Sequence, residues 1–170
     1  MSDAAFMDDG PVIRVAGREA APALALLWVR AEARRKGETI PSDVDASAVD
    51  ALRSRLDSYG AVAVVAVEAG EPVAGCFATQ ALEHDEPVHG RAHVSGISVM
   101  PERWGEGLGR HVLARLEGVL LDRGYDAAQL IVLETNDRAR RLYELAGWRL
   151  VSTGEPHPAG PHAVYEKTLG

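Results

Sequence analysis

Three glycines at alternate positions lie between an apolar run and an amphipathic stretch, in the segment Trp104-Gly105-Glu106-Gly107-Leu108-Gly109-Arg110. Because glycine has no Cβ atom, such a segment can turn sharply and bring its backbone N–H groups close to a ligand. The first N–H groups of a following helix have no partner within that helix, and they attract anions. The segment therefore predicts a binding site for a phosphate or pyrophosphate group.

The spacing of these glycines excludes two common nucleotide-binding loops. A dinucleotide-binding Gly-x-Gly-x-x-Gly motif that begins at Gly105 needs a third glycine at the position of Arg110. A Walker loop ends in Gly-Lys followed by Ser or Thr, and the sequence contains no such run. A glycine-rich turn with a purely structural role remains the alternative for this segment taken alone.

A second pair of polar residues follows the next apolar run. Asn136 is a residue type that caps helix N-termini, and Tyr143 lies two helical turns beyond it, so both side chains can face one groove. A phenol with the ordinary pKa near 10 is protonated at neutral pH and can donate a proton. The alternatives are that Asn136 only caps the helix and that Tyr143 only packs.

The elements that must hold these residues alternate between strand and helix periodicity. The pattern predicts strands at 12–15, 61–67, 72–82, 91–99, 127–133, 148–153 and 163–169, and helices at 18–35, 46–59, 108–123 and 136–146. A polar loop is predicted at 83–90, and a turn at 68–71 closes a hairpin. The resulting order, β-α-α-β-β-β-α-β-α-β-β, indicates a mixed α/β fold with an antiparallel first half, and not a doubly wound sheet.

The bulk composition is that of one globular domain of 170 residues, with 46% apolar and 25% charged residues. Residues 1–10 lack the basic start of a secretory signal and are predicted to form a disordered lead, which leaves 11–170 as a single domain. No uncharged apolar stretch of about 20 residues occurs, so no membrane span is predicted. The single cysteine, Cys76, allows neither an intramolecular disulfide nor a cysteine-based metal site, and no metal is expected. These features favour a cytoplasmic protein.

The net charge of −7 argues against nucleic acid as a partner, because nucleic-acid-binding proteins carry a basic face. An acidic protein attracts cations, so the same charge favours a cationic, amine-bearing small molecule as substrate. Glycines and exposed edge strands also allow a homodimer.

The glycine turn resembles the signature motif of the GNAT superfamily of N-acetyltransferases, Arg/Gln-x-x-Gly-x-Gly/Ala. Trp104 stands at the first position, where the family most often has Arg or Gln, while Gly107 and Gly109 match the two small positions. The stretch 136–148 resembles a second family element, Asn-x-x-Ala-x-x-Leu-Tyr-x-x-x-Gly-Phe, with Trp148 at its last position. The order of elements over 12–169 agrees with the family as well.

This resemblance implies a central, mostly antiparallel sheet of six or seven strands flanked by about four helices, with two strands splayed apart at a cofactor groove. It implies acetyl-CoA as cofactor and direct transfer of the acetyl group to a primary amine in a ternary complex. A bulge at Gly96 would drive the splay, and Asn136 would bond to the pantetheine arm. By the same resemblance, main-chain contacts to the arm would come from Ile97, Ser98 and Val99. Main-chain contacts to the pyrophosphate would come from Trp104, Gly105, Glu106, Gly107, Leu108, Gly109 and Arg110.

Acetyl transfer also needs a proton donor for the leaving thiolate and a proton acceptor for the ammonium group. In the family pattern, Tyr143 lies beside the cofactor and is the candidate acid. His93 is the candidate base, because several family members carry Glu or His at the matching place and a neutral imidazole accepts a proton at pH 7. Period-two alternation predicts one continuous strand face from His93 to Val99.

No motif specifies the acceptor, so a peptide N-terminus or a lysine side chain competes with a small cationic amine. Two other classes of function remain in competition: a non-catalytic acyl-CoA-binding module of the same fold and a nucleotide-dependent oxidoreductase. The intact Asn136 and Tyr143 argue against the first, and the glycine spacing argues against the second. Other candidates for the base are Glu83, His84 and Glu86. His157 and His162, in the last hairpin, either shape the acceptor pocket or are simply exposed.

Overall fold

Seven strands pair into one mixed sheet in the computed structural model, which describes residues 10–170. The strands are β1 (Val12–Ala16), β2 (Val62–Glu68), β3 (Glu71–Glu83), β4 (Glu86–Val99), β5 (Ala127–Leu133), β6 (Arg149–Glu155) and β7 (His162–Thr168). Their order across the sheet is β1-β2-β3-β4-β5-β7-β6. The β4–β5 pair is parallel and the other five pairs are antiparallel. Apart from Gly10, the predicted N-terminal lead lies outside the described residues.

The helices that cover this sheet are α1 (Ala21–Lys36), α2 (Ala46–Leu56), α3 (Leu108–Asp122) and α4 (Asp137–Leu145). Glycines end two of them in the left-handed region, Gly37 after α1 (φ 72°) and Gly124 after α3 (φ 90°). The mixed α/β fold predicted from the sequence is confirmed, with the predicted order of elements. Within residues 10–170, none of the helices has the length and apolarity that a membrane crossing requires.

The two faces of the sheet bury separate clusters, because alternate residues of each strand point to opposite sides. On one side, which we call the α3 face, α3 packs through Val112, Leu113, Leu116 and Leu120 against residues such as Val64, Cys76, Val94 and Leu130. On the other side, the α1 face, Leu24 and Leu56 from the first two helices pack against Ala63, Val65 and Phe77. Tyr143 of α4 belongs to the cluster on the α3 face.

The polar loop predicted at 83–90 is wrong. A tight turn joins β3 to β4 through His84 and Asp85, whose φ angles are 50° and 65°, as two-residue hairpins require. β5 pairs with β4 only from Arg91 onward, so the first part of β4 borders a single strand. That position tolerates Pro87, a residue type that misled the sequence-based interpretation.

Candidate active site

β4 and β5 lie side by side for only part of their length. Their register joins Arg91 with Ala127 and ends at His93, which pairs with Gln129. Beyond that point β4 continues to Val99 and β5 to Leu133 without pairing to each other. The sheet therefore opens into a wedge between two parallel strands, and the backbone groups that line the wedge can meet a ligand.

A β-bulge on β4 lies at the start of this opening. The register with β3 shifts between Gly75 and Phe77, and Gly96 of β4 has a φ of 63°. A Cβ atom at Gly96 would lie 2.8 Å from Cε1 of Phe77, so the position accepts only glycine without a shift of that ring. The bulge predicted at Gly96 is confirmed.

The bulge changes which face of the sheet the later residues of β4 meet. Val94 is buried in the cluster on the α3 face, and Ile97 and Val99 pack against that same cluster. His93 and Ser95 flank Val94 and therefore lie on the α1 face. The predicted continuous face from His93 to Val99 is wrong, because the extra residue of a bulge inverts the alternation that follows it.

Main-chain directions along the end of β4 follow from its bonds to β3. Met100 donates its amide to the carbonyl oxygen of Val73 at 2.8 Å. Since these directions alternate along a strand, Ser98 also faces β3, whereas the N–H and C=O groups of Ile97 and Val99 face the wedge. Two of the three residues predicted to pair with a pantetheine arm therefore present their backbone to the opening.

The glycine turn lies at the wide end of the wedge and leads into α3. Gly105 and Gly107 have φ angles of 91° and 83°, and a Cβ atom on either would meet nothing within 4 Å. Among residues 10–170, no acceptor is bonded to the N–H groups of Gly105, Gly107, Leu108, Gly109 or Arg110. Unpaired amides at a helix N-terminus can bind an anion, so this geometry is compatible with the phosphate site predicted for the segment.

Trp104 connects the turn to both sides of the wedge. Its Nε1 donates to the carbonyl oxygen of Val99 at 2.9 Å, and the guanidinium carbon of Arg138 lies 4.3 Å from its ring centroid. A cation at that distance is attracted to the ring. Trp104 thus holds the start of α4 near the turn, a task that differs from that of the Arg or Gln usual in the family motif.

Arg103, next to Trp104, is engaged by two carboxylates. Its Nη1 pairs with Glu68, and its Nε donates to Glu106 at 2.7 Å. The pair with Glu68 joins the turn to the end of β2, and the pair with Glu106 lies within the turn. Together they raise the pKa of Arg103 further above its usual value. Arg103 therefore stabilises the turn and is less available to a ligand than its neighbours.

A groove of about 1250 Å³ follows the wedge from the glycine turn to the β6–β7 loop. Cationic side chains predominate among its charged residues, with Arg34, Arg35, Lys36, Arg103, Arg110, Arg138 and Arg141 against Glu32 and Asp137. A protein with a net charge of −7 therefore carries a basic groove. Sequence reasoning missed this feature, because α1, the turn and α4 each supply part of it from distant positions in the chain.

Asn136 combines a structural contact with a free polar group. Its Oδ1 accepts a hydrogen bond from the amide of Ala139 at 3.2 Å, which confirms the predicted cap of α4. In the described part of the chain its Nδ2 makes no hydrogen bond, and the residue lies on the groove wall. Asn136 can therefore cap the helix and donate to a ligand at the same time.

Replacing Asn136 by alanine is expected to destabilise the folded chain by about 1 kcal/mol, because the cap of α4 is lost. For a chain of this size the melting temperature should fall by about 2–4 °C. Asn136→Asp is the matched control, since it keeps an acceptor oxygen for the amide of Ala139 and should melt close to the wild type. Equal melting of the alanine variant and the wild type would show that the cap contributes nothing.

Tyr143 lies in the wall of the groove with its ring in the core. Its side chain is 7% exposed, and its ring lies 6.3 Å from that of Trp148 and 5.9 Å from that of Tyr165. Burial, with smaller contributions from Cys76 and Tyr165, raises the pKa of Tyr143. The phenol is therefore protonated throughout the physiological pH range and can donate its proton into the groove.

His93 lies where β4 and β5 part. Its Nδ1 is 3.4 Å from Nε2 of Gln129. Burial, and to a smaller degree the charge of Arg55, lower the pKa of His93, so its imidazole is neutral at pH 7. His93 is not among the residues that line the groove, and neither are Glu83 and His84 of the β3–β4 hairpin, whereas His157 and His162 are.

Comparison with known proteins agrees with this geometry. The model of the acetyltransferase (GNAT) family matches residues 38–148. A candidate acetyltransferase from Salmonella typhimurium, solved with its cofactor acetyl-CoA, is 18% identical with a TM-score of 0.73 over 95% of each chain. A ribosomal-protein-alanine N-acetyltransferase from Brucella melitensis is 19% identical with a TM-score of 0.74, over 93% of this chain and 99% of that one. An acetyltransferase from Thermus thermophilus is 22% identical with a TM-score of 0.69, over 93% and 97%.

Proposed function

This chain belongs to the acetyltransferase (GNAT) family, whose model covers more than half of it, and from that premise we propose that it is an acetyl-CoA-dependent N-acetyltransferase. The acetyl group would pass directly to a primary amine while both substrates are bound. The observation that carries the proposal is the wedge between β4 and β5, with unpaired amides at its wide end and Tyr143 in its wall.

The residues of the groove suit acetyl-CoA by their chemistry. Its pyrophosphate needs hydrogen-bond donors without partners, which the amides of Gly105 and of residues 107–110 supply. Its further phosphate charge needs cations, and Arg138 and Arg141 stand beside that turn. Its pantetheine arm carries amides, which can pair with the backbone N–H and C=O of Ile97 and with the N–H of Val99 as a neighbouring strand would; the carbonyl of Val99 already accepts from Trp104.

Each predicted cofactor contact has a distinct part in this proposal. Trp104 orders the turn through its bond to Val99. The amides of Trp104 and Glu106 already donate to Pro101 and Arg103, so the amides of Gly105 and of residues 107–110 would bind the phosphate oxygens. Ser98, whose backbone pairs with β3, contributes to the groove wall and not to the pairing with the arm. The free Nδ2 of Asn136 donates to the arm near the mouth of the wedge.

Two proton transfers complete the reaction. Bound acetyl-CoA supplies an activated acetyl thioester. A backbone N–H of β4 at the bulge, that of Ile97 or of Val99, would polarise the carbonyl, and Tyr143 would protonate the departing sulfur. His93, the base predicted from the sequence, is neutral at pH 7 and lies on the α1 face, but it does not line the groove. It could take the ammonium proton only through a water molecule, so it competes for this role with the titratable residues that do line the groove.

The acceptor we propose is the primary amine of a small cationic molecule, since the net charge of −7 attracts cations to the protein. The groove itself is basic, however, and Glu32, one of the acidic residues that line it, is already bonded to Arg35 at 3.0 and 2.7 Å. The groove therefore offers little free negative charge to a cationic acceptor. A peptide N-terminus is the alternative acceptor, favoured by the length and openness of the groove. A homodimer also remains a prediction.

Adding CoA at about 100 times its Kd should stabilise the folded chain by about 2.7 kcal/mol, which a thermal shift assay detects. Pantetheine, which lacks the phosphates, is the control ligand and should shift the melting temperature much less. The activity is then measured as free thiol released from acetyl-CoA with a polyamine, an aminoglycoside and a peptide with a free N-terminus.

The outcomes of these two assays separate the competing functions. Thiol release with an amine supports the proposed enzyme, and the amine preferred identifies the class of acceptor. A CoA-dependent shift without thiol release from any amine would favour a non-catalytic acyl-CoA-binding module. The absence of any shift with CoA would refute both.

A further inference from the structure

If the proposed function holds, the two proton transfers belong on opposite faces of the sheet. Tyr143, the proposed donor to sulfur, packs in the cluster on the α3 face. The amine must reach the same carbonyl from the other side of the wedge, which is the α1 face. The base that takes the ammonium proton should therefore be a titratable residue that lines the groove on the α1 face.

His162, the first residue of β7, meets this condition. Ala163 and Tyr165 are buried in the cluster on the α3 face, so the alternation of β7 turns His162 to the α1 face. It pairs with Leu133, the last residue of β5, at the edge of the wedge. Its ring is largely buried and lines the groove.

A hydrogen bond fixes the proton of the His162 ring. Its Nδ1 lies 2.7 Å from the carbonyl oxygen of Gly160. Because a carbonyl oxygen can only accept, Nδ1 must carry the hydrogen, and the neutral ring then holds its lone pair on Nε2. This bond also remains in place when Nε2 is protonated, so it orients the ring in both forms.

The neighbouring His157 is held in the opposite tautomer. Its Nδ1 accepts a hydrogen bond from the amide of Ala159 at 3.1 Å, which leaves its hydrogen on Nε2. The two rings lie 4.0 Å apart between centroids. The groove thus meets one imidazole that offers a lone pair, on His162, and one that offers an N–H donor, on His157.

We propose that Nε2 of His162 accepts the proton of the acceptor ammonium group directly. The freed amine lone pair attacks the thioester carbonyl carbon, the C–N bond forms and the C–S bond breaks, and Tyr143 gives its proton to sulfur. A second proton leaves the nitrogen as the amide forms and returns the Tyr143 phenolate to its protonated form, and His162 releases the first proton to solvent. The N–H of His157 can bind a polar group of the acceptor and orient it.

Charged and titratable groups of both signs lie near His162. Glu155 lies opposite it on β6, and Glu134 follows Leu133 at the end of β5, where its amide bonds to Pro161. The ring of His157, in the loop before β7, lies beside it at an interplanar angle of 42°. The basic end of α1, from Arg34 to Lys36, places positive charge on another part of the groove wall.

The test compares His162→Gln with the wild type in acetylation of the preferred amine. We expect kcat/KM at pH 7 to fall by about tenfold or more, with unchanged CoA binding. The acidic limb of the pH profile of kcat/KM, which reports the base of the free enzyme, should disappear. His162→Ala should regain turnover when free imidazole is added. His89→Gln, on an exposed histidine outside the groove, controls for loss of any histidine.

Two results would overturn the inference, and a third would refute the proposed function on which it rests. An acidic limb unchanged in His162→Gln would exclude His162 as the base, and its loss in His93→Gln alone would assign that role to His93. Nitrogen NMR of the folded wild type showing hydrogen on Nε2 of His162 would contradict the tautomer. A wild-type protein that acetylates no amine would refute the proposed function itself, whereas an active enzyme with an unchanged limb would refute this inference alone.

Discussion

Replacing Gly107 by valine is expected to abolish CoA binding while the chain stays folded. Gly107 has a φ of 83° and immediately precedes α3, and a Cβ atom there would point into open space. A branched side chain at that point would cover the amides of the turn and keep a pyrophosphate from reaching them. Left-handed geometry costs a non-glycine residue about 1–2 kcal/mol, a fraction of the roughly 5–15 kcal/mol that typically stabilises a domain.

Titration calorimetry with CoA measures this prediction, and Gly124→Val is its matched control. Gly124 lies at the other end of α3, has a φ of 90° and is equally open. The control should therefore lose a similar amount of stability and still bind CoA. Normal binding by Gly107→Val would refute the phosphate site at the turn, and loss of binding by both variants would point to damage of the fold.

The sequence predicted the elements well wherever local periodicity decided the structure. The alternation along β2 divides its valines and alanines between two clusters, and the capping residue Asn136 marks the start of α4. The prediction failed at 83–90, because proline and glycine are typical of loops. The turn there is made instead by His84 and Asp85 in left-handed geometry, which residue type alone does not reveal.

The candidate site was predictable only in its local parts. Gly96 could be identified as a bulge from its type and place. Its consequence, the inversion of the face that carries Ile97 and Val99, depends on the register with β3, which no local pattern specifies. The same holds for the stacking of Arg138 on Trp104, because it joins two segments separated by α3 and β5.

The role proposed for His162 depends on the folded structure for a related reason. The sequence marked it only as a residue that could shape a pocket. Its tautomer depends on the carbonyl of Gly160, and its face depends on which residues of β7 are buried. Both are properties of the folded hairpin. His93 lies on the same face, but its Nδ1 faces Gln129 and it does not line the groove, whereas His162 does.

Replacing Tyr143 by phenylalanine is expected to lower kcat by roughly tenfold to a thousandfold, the range of general acid catalysis, with little change in CoA affinity. The ring would keep its contacts with Trp148 and Tyr165, so the core and the groove wall persist. Tyr125→Phe is the matched control, because Tyr125 is as buried, at 8% exposure against 7%, and lies outside the groove. Unchanged turnover in Tyr143→Phe would remove the phenol from the mechanism.

The pH dependence of the wild type gives this prediction a second test. Because burial raises the pKa of Tyr143, its phenol stays protonated below the ordinary value near 10, and activity that needs its proton is lost only above that pH. A fall in kcat at lower pH must come from another group and should persist in Tyr143→Phe. If kcat and kcat/KM fall by the same factor in the variant, the phenol acts in the transition state and not in binding. A rise in KM at constant kcat would instead make Tyr143 a binding residue.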